Sequence, residues 1–311
     1  MLSPSWTYGQ TELHGQEYPK NELKKICEVK EEFDLTKHNT YRLNSVANAL
    51  VSPNSMEELT SIIKILNEHN AKYFVLGNGS NIILPPYYDG VIIKLDEFNK
   101  CTIDENETYV ECGYMLNKLA MEISNQGFTG MEWATGVPGS IGGGIYMNAG
   151  CYGSSMSEVI KSVCAFDGTN IIELKNEELN FGYRTSIFKE KNDLIILSCK
   201  LKKLDKGNLE EIKALIQERT EKRVATQDLS HPSCGSVFRN PEGMSAGKLI
   251  DDLGLKGYKI GDAMVSLKHA NFIINDGNAT SEDIISLIKY VQDKVKETYN
   301  VDLILEQEII K

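Results

Sequence analysis

The chain has 311 residues, of which 41% are hydrophobic and 25% are charged, and its formal net charge is −11 at pH 7. This is the composition of an ordinary soluble globular protein, and the length allows about two domains with a buried core. The acidic balance and the lack of a Lys/Arg cluster argue against a general nucleic-acid binder, although a few arginines can still hold a phosphate or a carboxylate.

The N-terminus and the cysteines indicate where the protein works. The chain does not open with the basic start and apolar run of a secretory signal, and no run of about 18 apolar residues predicts a transmembrane helix. Seven cysteines are scattered without a C-x-x-C pair, so we expect neither a zinc site nor a disulfide framework. We therefore predict a cytoplasmic protein that binds no metal, no membrane and no nucleic acid.

The first part of the chain alternates between predicted strands and helices. Ser55 and Glu58 spell a capping box at the start of the longest helix of this part. The pattern predicts a β-α-β-β unit over residues 46–95, with the glycine loop "LGNGSN" after its second strand. In chain order the elements are a short helix near residues 22–29, a strand at "VANALVS", an amphipathic helix at "NSMEELTSIIKILNEHN", and strands at "KYFVL" and "GVIIKL".

The middle of the chain contains a second glycine-rich stretch, "GVPGSIGGGIYMNAGCYG". A strand at "TYVECG" and a helix at "MLNKLAMEISNQG" precede it, and Gly127 is the predicted C-cap of that helix. After it, "KSVCAFDGTNIIEL" predicts a hairpin that turns at Asp167-Gly168, and "DLIILSCKLKKL" predicts a strand.

The last part is predicted to open near residue 206 with a helix at "NLEEIKALIQERTEKRVAT". Further elements are a short helix at residues 246–253, a strand at "NFIIN", a helix at "SEDIISLIKYVQDKVKETY" and a last strand at "VDLILEQEII".

The two glycine-rich loops favour an anionic ligand. Glycine lets backbone N–H groups turn toward a phosphate, and it removes the Cβ that would block close approach. The named fingerprints fail, because Ile82 stands where a Rossmann motif needs its third glycine and Leu249 follows Gly247-Lys248 where a P-loop needs Ser or Thr. From these residues alone, a nucleotide-type cofactor and simple tight turns both stay open.

Seven characteristic blocks occur in order along the chain: "LGNGSNII", "GMEWATGVPGSIGGGIYMNAGCYG", "YRTSIFK", "SCGSVFRNP", "AGKLID", "GLKGYKIGDAMVSLKHANFIIN" and "LEQEII". Together they resemble the UDP-N-acetylenolpyruvoylglucosamine reductases, flavoenzymes that make UDP-N-acetylmuramate for bacterial cell walls. The resemblance covers roughly residues 38–311, and the short interval between Arg184 and Ser236 is similar to the family's second type, which lacks a substrate-capping insertion.

The resemblance implies an α+β fold with two FAD-binding subdomains of the vanillyl-alcohol-oxidase (PCMH-like) type and a C-terminal α+β substrate-binding domain. The last strand would return to the active site. The implied parts are an N-terminal extension (1–37), FAD-binding subdomain 1 (38–97), FAD-binding subdomain 2 (98–205) and the substrate-binding domain (206–311).

The same resemblance implies non-covalently bound FAD, with NADPH as co-substrate and UDP-N-acetylglucosamine enolpyruvate as substrate, in a monomer. The glycine loops would cradle the FAD pyrophosphate, and the stretch after them would line the flavin ring. The implied cofactor-binding residues are Gly77, Asn78, Gly79, Ser80, Asn81, Gly136, Pro138, Gly139, Ser140, Gly142, Gly143, Asn148, Ala149 and Gly150.

Three residues match the family's catalytic positions. Arg184 would stabilise the charge that develops on the substrate carboxylate, Ser236 would protonate carbon 2, and Glu306 would be hydrogen-bonded beside them. Without the resemblance, the three read as a surface ion-pairing arginine, a turn serine and a solvent-facing glutamate. Residues that match family segments near the substrate are Tyr183, Lys222, Arg223, Gln227 and His269.

Departures from the family pattern leave the catalytic matches intact. Asn44-Ser45 replaces a common Gly-Gly pair, and Lys311 replaces a final glycine. Asp228 follows Gln227 at the position where a proline is usual. Two other functions stay open, namely another FAD-dependent oxidase or dehydrogenase of the same fold and a non-catalytic flavin or nucleotide-sugar binding paralogue. Cys151, just after one matched segment, leaves a covalent flavin link open, whereas Cys234 is interpreted as a packing residue.

Overall fold

The first sheet has four strands, and the first glycine loop follows its strand Tyr73–Val75. The structure, a computed structural model, describes residues 18–191 and 193–311. Helix α2 (Met56–Glu68) connects the strand Val46–Val51 to the strand Tyr73–Val75, and both of these pair in parallel with the strand Tyr87–Ile93, which lies between them. These elements form the predicted β-α-β-β unit. Ser55 caps this helix by accepting the Glu58 N–H, while Glu58 itself accepts from Asn54 rather than from Ser55. The strands are β1 (Val29–Asp34), β2 (Val46–Val51), β3 (Tyr73–Val75) and β5 (Tyr87–Ile93), in the spatial order β1-β2-β5-β3, with the short strand β4 (Ile82–Ile83) outside this sheet.

The helix expected near residues 22–29 is mostly wrong. Helix α1 covers only Lys20–Leu23, and Val29 already begins β1. The reason is tertiary: β1 pairs antiparallel with β2 along its length, and sheet pairing overrides a weak local helical pattern. Of the predicted N-terminal extension, residues 1–17 lie outside the described residues.

The second sheet is antiparallel throughout, and the second glycine loop lies along the chain between its strands Thr108–Glu111 and Ile160–Phe166. Its hairpin turns at Gly168 (φ +88°), as predicted. The C-cap of helix α3 (Leu116–Asn125) is Gln126, and the predicted cap Gly127 (φ +76°) is the next residue, in the left-handed conformation that ends the helix. The strands are β6 (Cys101–Ile103), β7 (Thr108–Glu111), β10 (Ile160–Phe166), β11 (Ile171–Lys175) and β12 (Ile195–Leu201), in the order β11-β10-β12-β7-β6. The other elements of this part are α3 (Leu116–Asn125), α4 (Ile141–Tyr146), β8 (Gly150–Cys151), β9 (Ser154–Ser155), α5 (Met156–Val159) and α6 (Ile187–Glu190).

The C-terminal part has its own hydrophobic core. This core joins buried residues between Cys234 and Leu303, together with Tyr41, Leu43 and Ile83 from the first part. The long polar helix α7 (Leu209–Thr226) packs on α3 and on the short 3-10 helix Glu132–Ala134, both in the second part, while Val224 O in its last turn accepts a hydrogen bond from Lys268. The elements are α7 (Leu209–Thr226), α8 (Ala246–Asp252), β13 (Lys259–Ile260), β14 (Ala263–Val265), β15 (Ile273–Asn275), α9 (Ser281–Tyr299) and β16 (Glu308–Ile309).

The last predicted strand, at "VDLILEQEII", is mostly wrong. Only β16 is a strand, and it pairs in parallel with β4. Leu305 instead makes an isolated bridge to Phe238. The segment changes partner between these two contacts, so no single ladder forms along it.

The α+β prediction is confirmed by this mixture of sheets and helices. No helix in the described part of the chain is long and apolar enough to cross a lipid bilayer. The domain boundaries stay predictions.

A buried hydrogen bond ties the first part of the chain to its last segment. The Tyr41 hydroxyl donates to Gln307 Oε1 at 3.0 Å, and both side chains are buried. Tyr41→Phe should lower the free energy of unfolding by about 1–3 kcal/mol, because the Gln307 carbonyl loses its partner without gaining water. The matched control is Tyr152→Phe, whose exposed hydroxyl donates to Arg219 O, and a change within ~0.5 kcal/mol is expected there. Equal effects of the two variants in denaturant titrations would contradict the prediction.

Candidate functional site

The two glycine loops touch each other although they lie far apart in sequence. Ser80 Oγ donates to Pro138 O at 3.2 Å. A Cβ on Gly77 would lie 2.9 Å from Ser140 Oγ, and one on Gly139 would lie 3.4 Å from Ser80 Oγ. The fold therefore joins the two sets of predicted cofactor-binding residues into one lining, in which a side chain at Gly77 would collide with Ser140.

Gly79 has the strictest requirement in this lining. Its φ is +65°, and a Cβ there would lie 2.1 Å from the backbone oxygen of His38. The Gly79 carbonyl accepts the Thr40 N–H at 3.0 Å, which fixes the loop against the preceding turn. Within the described residues, the N–H groups of Asn78, Gly79 and Ser80 donate to no protein acceptor. They remain available to an anion, as a pyrophosphate cradle requires.

The second loop leads into α4. Ser140 caps that helix by accepting the Gly143 N–H at 3.2 Å. Gly142 packs on Cys112, where a Cβ would meet the cysteine Cβ at 3.2 Å. Ser140, Gly142 and Gly143 thus hold a tight turn whose backbone faces the first loop.

The stretch after α4 connects the glycine loops to Arg184. Asn148 has φ +43°, and its amide donates to Gly182 O at 2.9 Å. Ala149 is held by a hydrogen bond from its N–H to Gly144 O at 2.8 Å. The Gly150 carbonyl accepts from Arg184 Nη2 at 2.6 Å.

Arg184 and Glu306 form the central ion pair of the site. Arg184 Nε donates to Glu306 Oε1 at 2.7 Å, and the two side chains are only 20% and 13% exposed. Arg184 itself has φ +59°, a left-handed conformation held by the Gly182–Thr185 turn. Such a strained backbone at a non-glycine residue is often found at functional sites. The pair brings together two of the three predicted catalytic residues across 122 positions of sequence.

Ser236 lies next to this pair through the backbone. Glu306 N donates to Val237 O at 2.8 Å, and Ser236 bridges to Phe272 on its other side. Ser236 lines a cavity of about 410 Å³. Neither Arg184 nor Glu306 lines that cavity. Ser236 is therefore joined to the pair through the backbone of Val237, the next residue, and it also lines a cavity that the pair does not line.

The cavity beside Ser236 is rich in charge. Lys248 and Lys256 form ion pairs with Asp252 and Asp251 at 3.0 and 2.8 Å, while Lys268 Nζ donates to the backbone oxygen of Val224. The sequence motifs gave no role to these lysines or to Asn240. All four lie inside the matched blocks "SCGSVFRNP", "AGKLID" and "GLKGYKIGDAMVSLKHANFIIN", but the sequence alone does not show that these blocks meet at one cavity. Polar residues of the wall include Ser236, Asn240, Lys248, Lys256, Lys268 and His269.

His269 presents a neutral ring to this cavity. Its Nδ1 accepts the Asn271 N–H at 3.2 Å, and its ring packs on Phe272 at a centroid distance of 4.4 Å. Burial lowers the pKa of His269 below its usual value, so the imidazole is uncharged at neutral pH.

The remaining predicted substrate residues lie in three different places. Tyr183 is 54% exposed and stacks with the Arg184 guanidinium at 5.2 Å. Arg223 lies against the second glycine loop, where a Cβ on Gly136 would be 3.1 Å from its Nη1. Burial lowers the pKa of Arg223 from its usual value. Gln227 ends α7, and its buried Oε1 has no hydrogen-bond partner within the described residues, whereas Lys222 is exposed.

The cysteines near the site are held as thiols. Cys151 Sγ donates to Trp133 O at 3.1 Å, and burial raises its pKa above the usual value. Burial also raises the pKa of Cys234 to about 11, and its Sγ donates to Ile82 O at 3.3 Å. A protonated thiol is a poor nucleophile, which supports a packing role for Cys234 and non-covalent flavin binding beside Cys151. Among the described residues, no cluster of three or more His, Cys, Asp or Glu side chains could hold a metal ion.

The paired glycine loops and the residues around them define a flavoprotein. Residues 47–170 match the model of the FAD binding domain family, and residues 227–310 match that of the UDP-N-acetylenolpyruvoylglucosamine reductase C-terminal domain. The chain belongs to the UDP-N-acetylenolpyruvoylglucosamine reductase family, as the relatives described next establish.

Curated relatives with that name match along almost their whole length. The protein of Caldanaerobacter subterraneus is 41% identical over 89% of this chain and 91% of its own length. The protein of Fervidobacterium nodosum is 42% identical over 92% and 93%. The crystal structure of the UDP-N-acetylenolpyruvylglucosamine reductase of Thermus caldophilus superposes with a TM-score of 0.77 at 34% identity, covering 92% of this chain and 99% of that one. The family resemblance and the fold class inferred from the sequence are confirmed.

Gly79→Ala tests the cradle. The variant should lose bound FAD and lower the melting temperature, because the new Cβ meets the His38 backbone in addition to the cost of a left-handed alanine. Gly243→Ala is the matched control: its φ is +68° but a Cβ there meets nothing within 4 Å, so only the conformational cost of about 1 kcal/mol applies. Flavin-to-protein ratios after purification check this, and a wild-type ratio in Gly79→Ala would contradict it.

Proposed function

We propose that the protein reduces UDP-N-acetylglucosamine enolpyruvate to UDP-N-acetylmuramate, a peptidoglycan precursor, using NADPH as electron donor and FAD as tightly bound carrier. Membership of the reductase family along almost the whole chain supports this reaction class. The single observation that carries the catalytic assignment is the partly buried Arg184–Glu306 pair beside the Ser236 segment.

The residues present fit an FAD molecule. The unpaired N–H groups of Asn78, Gly79 and Ser80 would neutralise its pyrophosphate without a lysine, together with the facing turn at Gly139–Ser140. Asn148, Ala149 and Gly150 would line the flavin ring on the side toward Arg184. When bound, FAD supplies two-electron hydride chemistry between NADPH and carbon 3 of the enolpyruvyl group.

Arg184 stabilises the charge that the substrate carboxylate takes on as carbon 3 gains hydride. Its Nε and Nη2 are fixed by Glu306 and Gly150, so the guanidinium is held in one orientation before substrate arrives. A charge preorganised in this way stabilises a transition state without reorganising during the reaction. Glu306 is a positioning residue for that guanidinium.

Ser236 delivers the proton to carbon 2. A hydroxyl is a weak acid, so this step needs a basic enolate held close to Oγ. Ser236 lies on a segment that Glu306 N and Asn271 O fix from either side through Val237, which limits how far Oγ can move. Its position at the wall of this cavity favours a substrate whose reacting end lies at Ser236 while its diphosphate lies near Lys248, Lys256 and Lys268. In the structure the first two lysines are paired with Asp252 and Asp251 on the same wall, so the diphosphate would compete with these carboxylates.

The protein is further proposed to be a cytoplasmic monomer. All seven of its cysteines are free, as a reducing compartment favours. Light scattering of the purified holoprotein tests the oligomeric state.

The first experiment follows NADPH oxidation by FAD-loaded protein with and without UDP-N-acetylglucosamine enolpyruvate. Oxidation that depends on this compound supports the proposed reaction. Flavin binding without such oxidation would favour another FAD oxidase or dehydrogenase, or a non-catalytic paralogue. Heat denaturation that releases all flavin into the supernatant excludes a covalent link to Cys151.

Arg184→Ala and Glu306→Ala should each lower turnover by at least ~100-fold, the range expected when preorganised transition-state stabilisation is removed. FAD content should be retained, because neither side chain belongs to the pyrophosphate cradle. The control is Lys24→Ala, which breaks an exposed 2.8 Å ion pair with Glu31 and should leave turnover unchanged. Near-wild-type rates in either site variant would refute the roles given to this pair.

Ser236→Ala should retain FAD and lose substrate-dependent turnover by about 100-fold or more, because a proton donor in the transition state contributes that much. Ser236→Cys should recover part of the rate, since a thiol can donate a proton from nearly the same place. The readout is steady-state turnover alongside the flavin spectrum. A fully active Ser236→Ala enzyme would remove Ser236 from the mechanism.

A further inference from the structure

Asp228 is the centre of a buried hydrogen-bond cluster just after α7. Its side chain is 9% exposed. Oδ1 lies 2.9 Å from Ser230 Oγ and 3.0 Å from His231 Nδ1, while Oδ2 accepts from Ser266 Oγ at 3.0 Å. His231 also approaches Asp276 at 3.6 Å, and Lys259 pairs with Asp276 in turn. The carboxylate thus has separate partners on its two oxygens.

Ser266 connects Asp228 to two residues of the cavity wall, Lys268 and His269. It is fully buried, and its Oγ accepts the backbone N–H groups of Lys268 at 3.1 Å and His269 at 3.3 Å. A serine hydroxyl has one donor and two acceptor positions, so Ser266 uses its whole capacity. The only hydroxyl proton of Ser266 is donated to Asp228, so the position of that carboxylate fixes the direction of the two lone pairs on Ser266 Oγ.

The ionised state of Asp228 suits this arrangement. Burial alone would raise its pKa, but hydrogen bonds from His231, Ser230 and Ser266 outweigh that effect and lower the pKa to about 2. The carboxylate is therefore charged at neutral pH, and a hydrogen bond to a charged acceptor is stronger than one between neutral groups.

A second link holds the same two segments together. Lys268 Nζ donates to the backbone oxygen of Val224, in the last turn of α7. The loop that carries Lys268 and His269 therefore has two links to the end of α7. One is the Lys268 side chain on Val224 O, and the other is the Asp228–Ser266 hydrogen bond.

We propose that Asp228 is a positioning residue that acts through Ser266 to fix the loop of Lys268 and His269, and so sets the affinity of the Ser236 cavity for the nucleotide-sugar substrate. The inference rests on the proposed function for the identity of that substrate. It gives a role to a residue that departs from the proline usual at this place in the family.

Kinetics of matched variants test the proposal. Asp228→Ala and Ser266→Ala should each raise the KM for UDP-N-acetylglucosamine enolpyruvate by about ten-fold, as expected for losing a hydrogen bond to a charged group, with FAD content unchanged. The double variant should be no worse than the poorer single one, because both remove the same link. Ser230→Ala is the control: it removes a hydroxyl from Oδ1 only and should leave KM within about two-fold. Asp228→Asn, which keeps an acceptor for Ser266, should recover most of the lost affinity.

Amide hydrogen exchange of the holoprotein provides a readout that needs no turnover. Asp228→Asn and Ser266→Ala change side-chain volume little. Exchange of the Lys268 and His269 N–H groups should be fastest in Ser266→Ala, less accelerated in Asp228→Asn, and at the wild-type rate in Ser230→Ala. If wild type lacks substrate-dependent NADPH oxidation, the proposed function fails and the exchange data still decide the positioning role.

Three results would overturn the proposal. One is an unchanged KM in Ser266→Ala with FAD retained. Another is single-variant effects that multiply in the double variant, since independent links would then be involved. The last is wild-type exchange at Lys268 and His269 in Ser266→Ala.

Discussion

The site depends on the main chain of one segment, from Leu305 to Ile310. On one side Glu306 N donates to Val237 O, and on the other Glu308 N donates to Asn81 O. Asn81 in turn donates its side-chain amide to Glu306 O at 3.2 Å. The first glycine loop, the Ser236 segment and the carboxylate of Glu306 are therefore held at fixed separations by a single strip of main chain.

Two ion pairs hold this strip from the second part of the chain. Arg184 binds Glu306, and Lys189 binds Glu308, two residues further along the same segment. Partly exposed ion pairs add little net stability, because water screens the attraction. Their value here is geometric, because a shift of the segment by one residue would separate both carboxylates from their cations.

The sequence predicted regular elements well where local patterns were strong and poorly where pairing was distant. The α2 and α9 helices have clear apolar periodicity and capping residues, and both appear as expected. Strand β1 was missed because "VKEEFD" has no strong alternation, and its conformation depends on β2. The seven motif blocks indicated the family, and the contact between the two glycine loops agrees with the shared cofactor role implied for them. The lysine-lined cavity could not be predicted, because Lys248, Lys256 and Lys268 become neighbours only through tertiary packing.

The long sequence separation of these contacts has a consequence for biosynthesis. Tyr41 and Gln307 are 266 positions apart, and Asn81 and Glu306 are 225 apart. The glycine loops can form while the chain is still emerging from the ribosome, since domains generally fold from the N-terminal side. The carboxylate that holds Arg184 is translated more than a hundred codons after that arginine. A nascent chain can therefore bring the two glycine loops together early, whereas the contacts of Asn81 with residues 306–308 and the Arg184–Glu306 pair form only after those residues have left the exit tunnel.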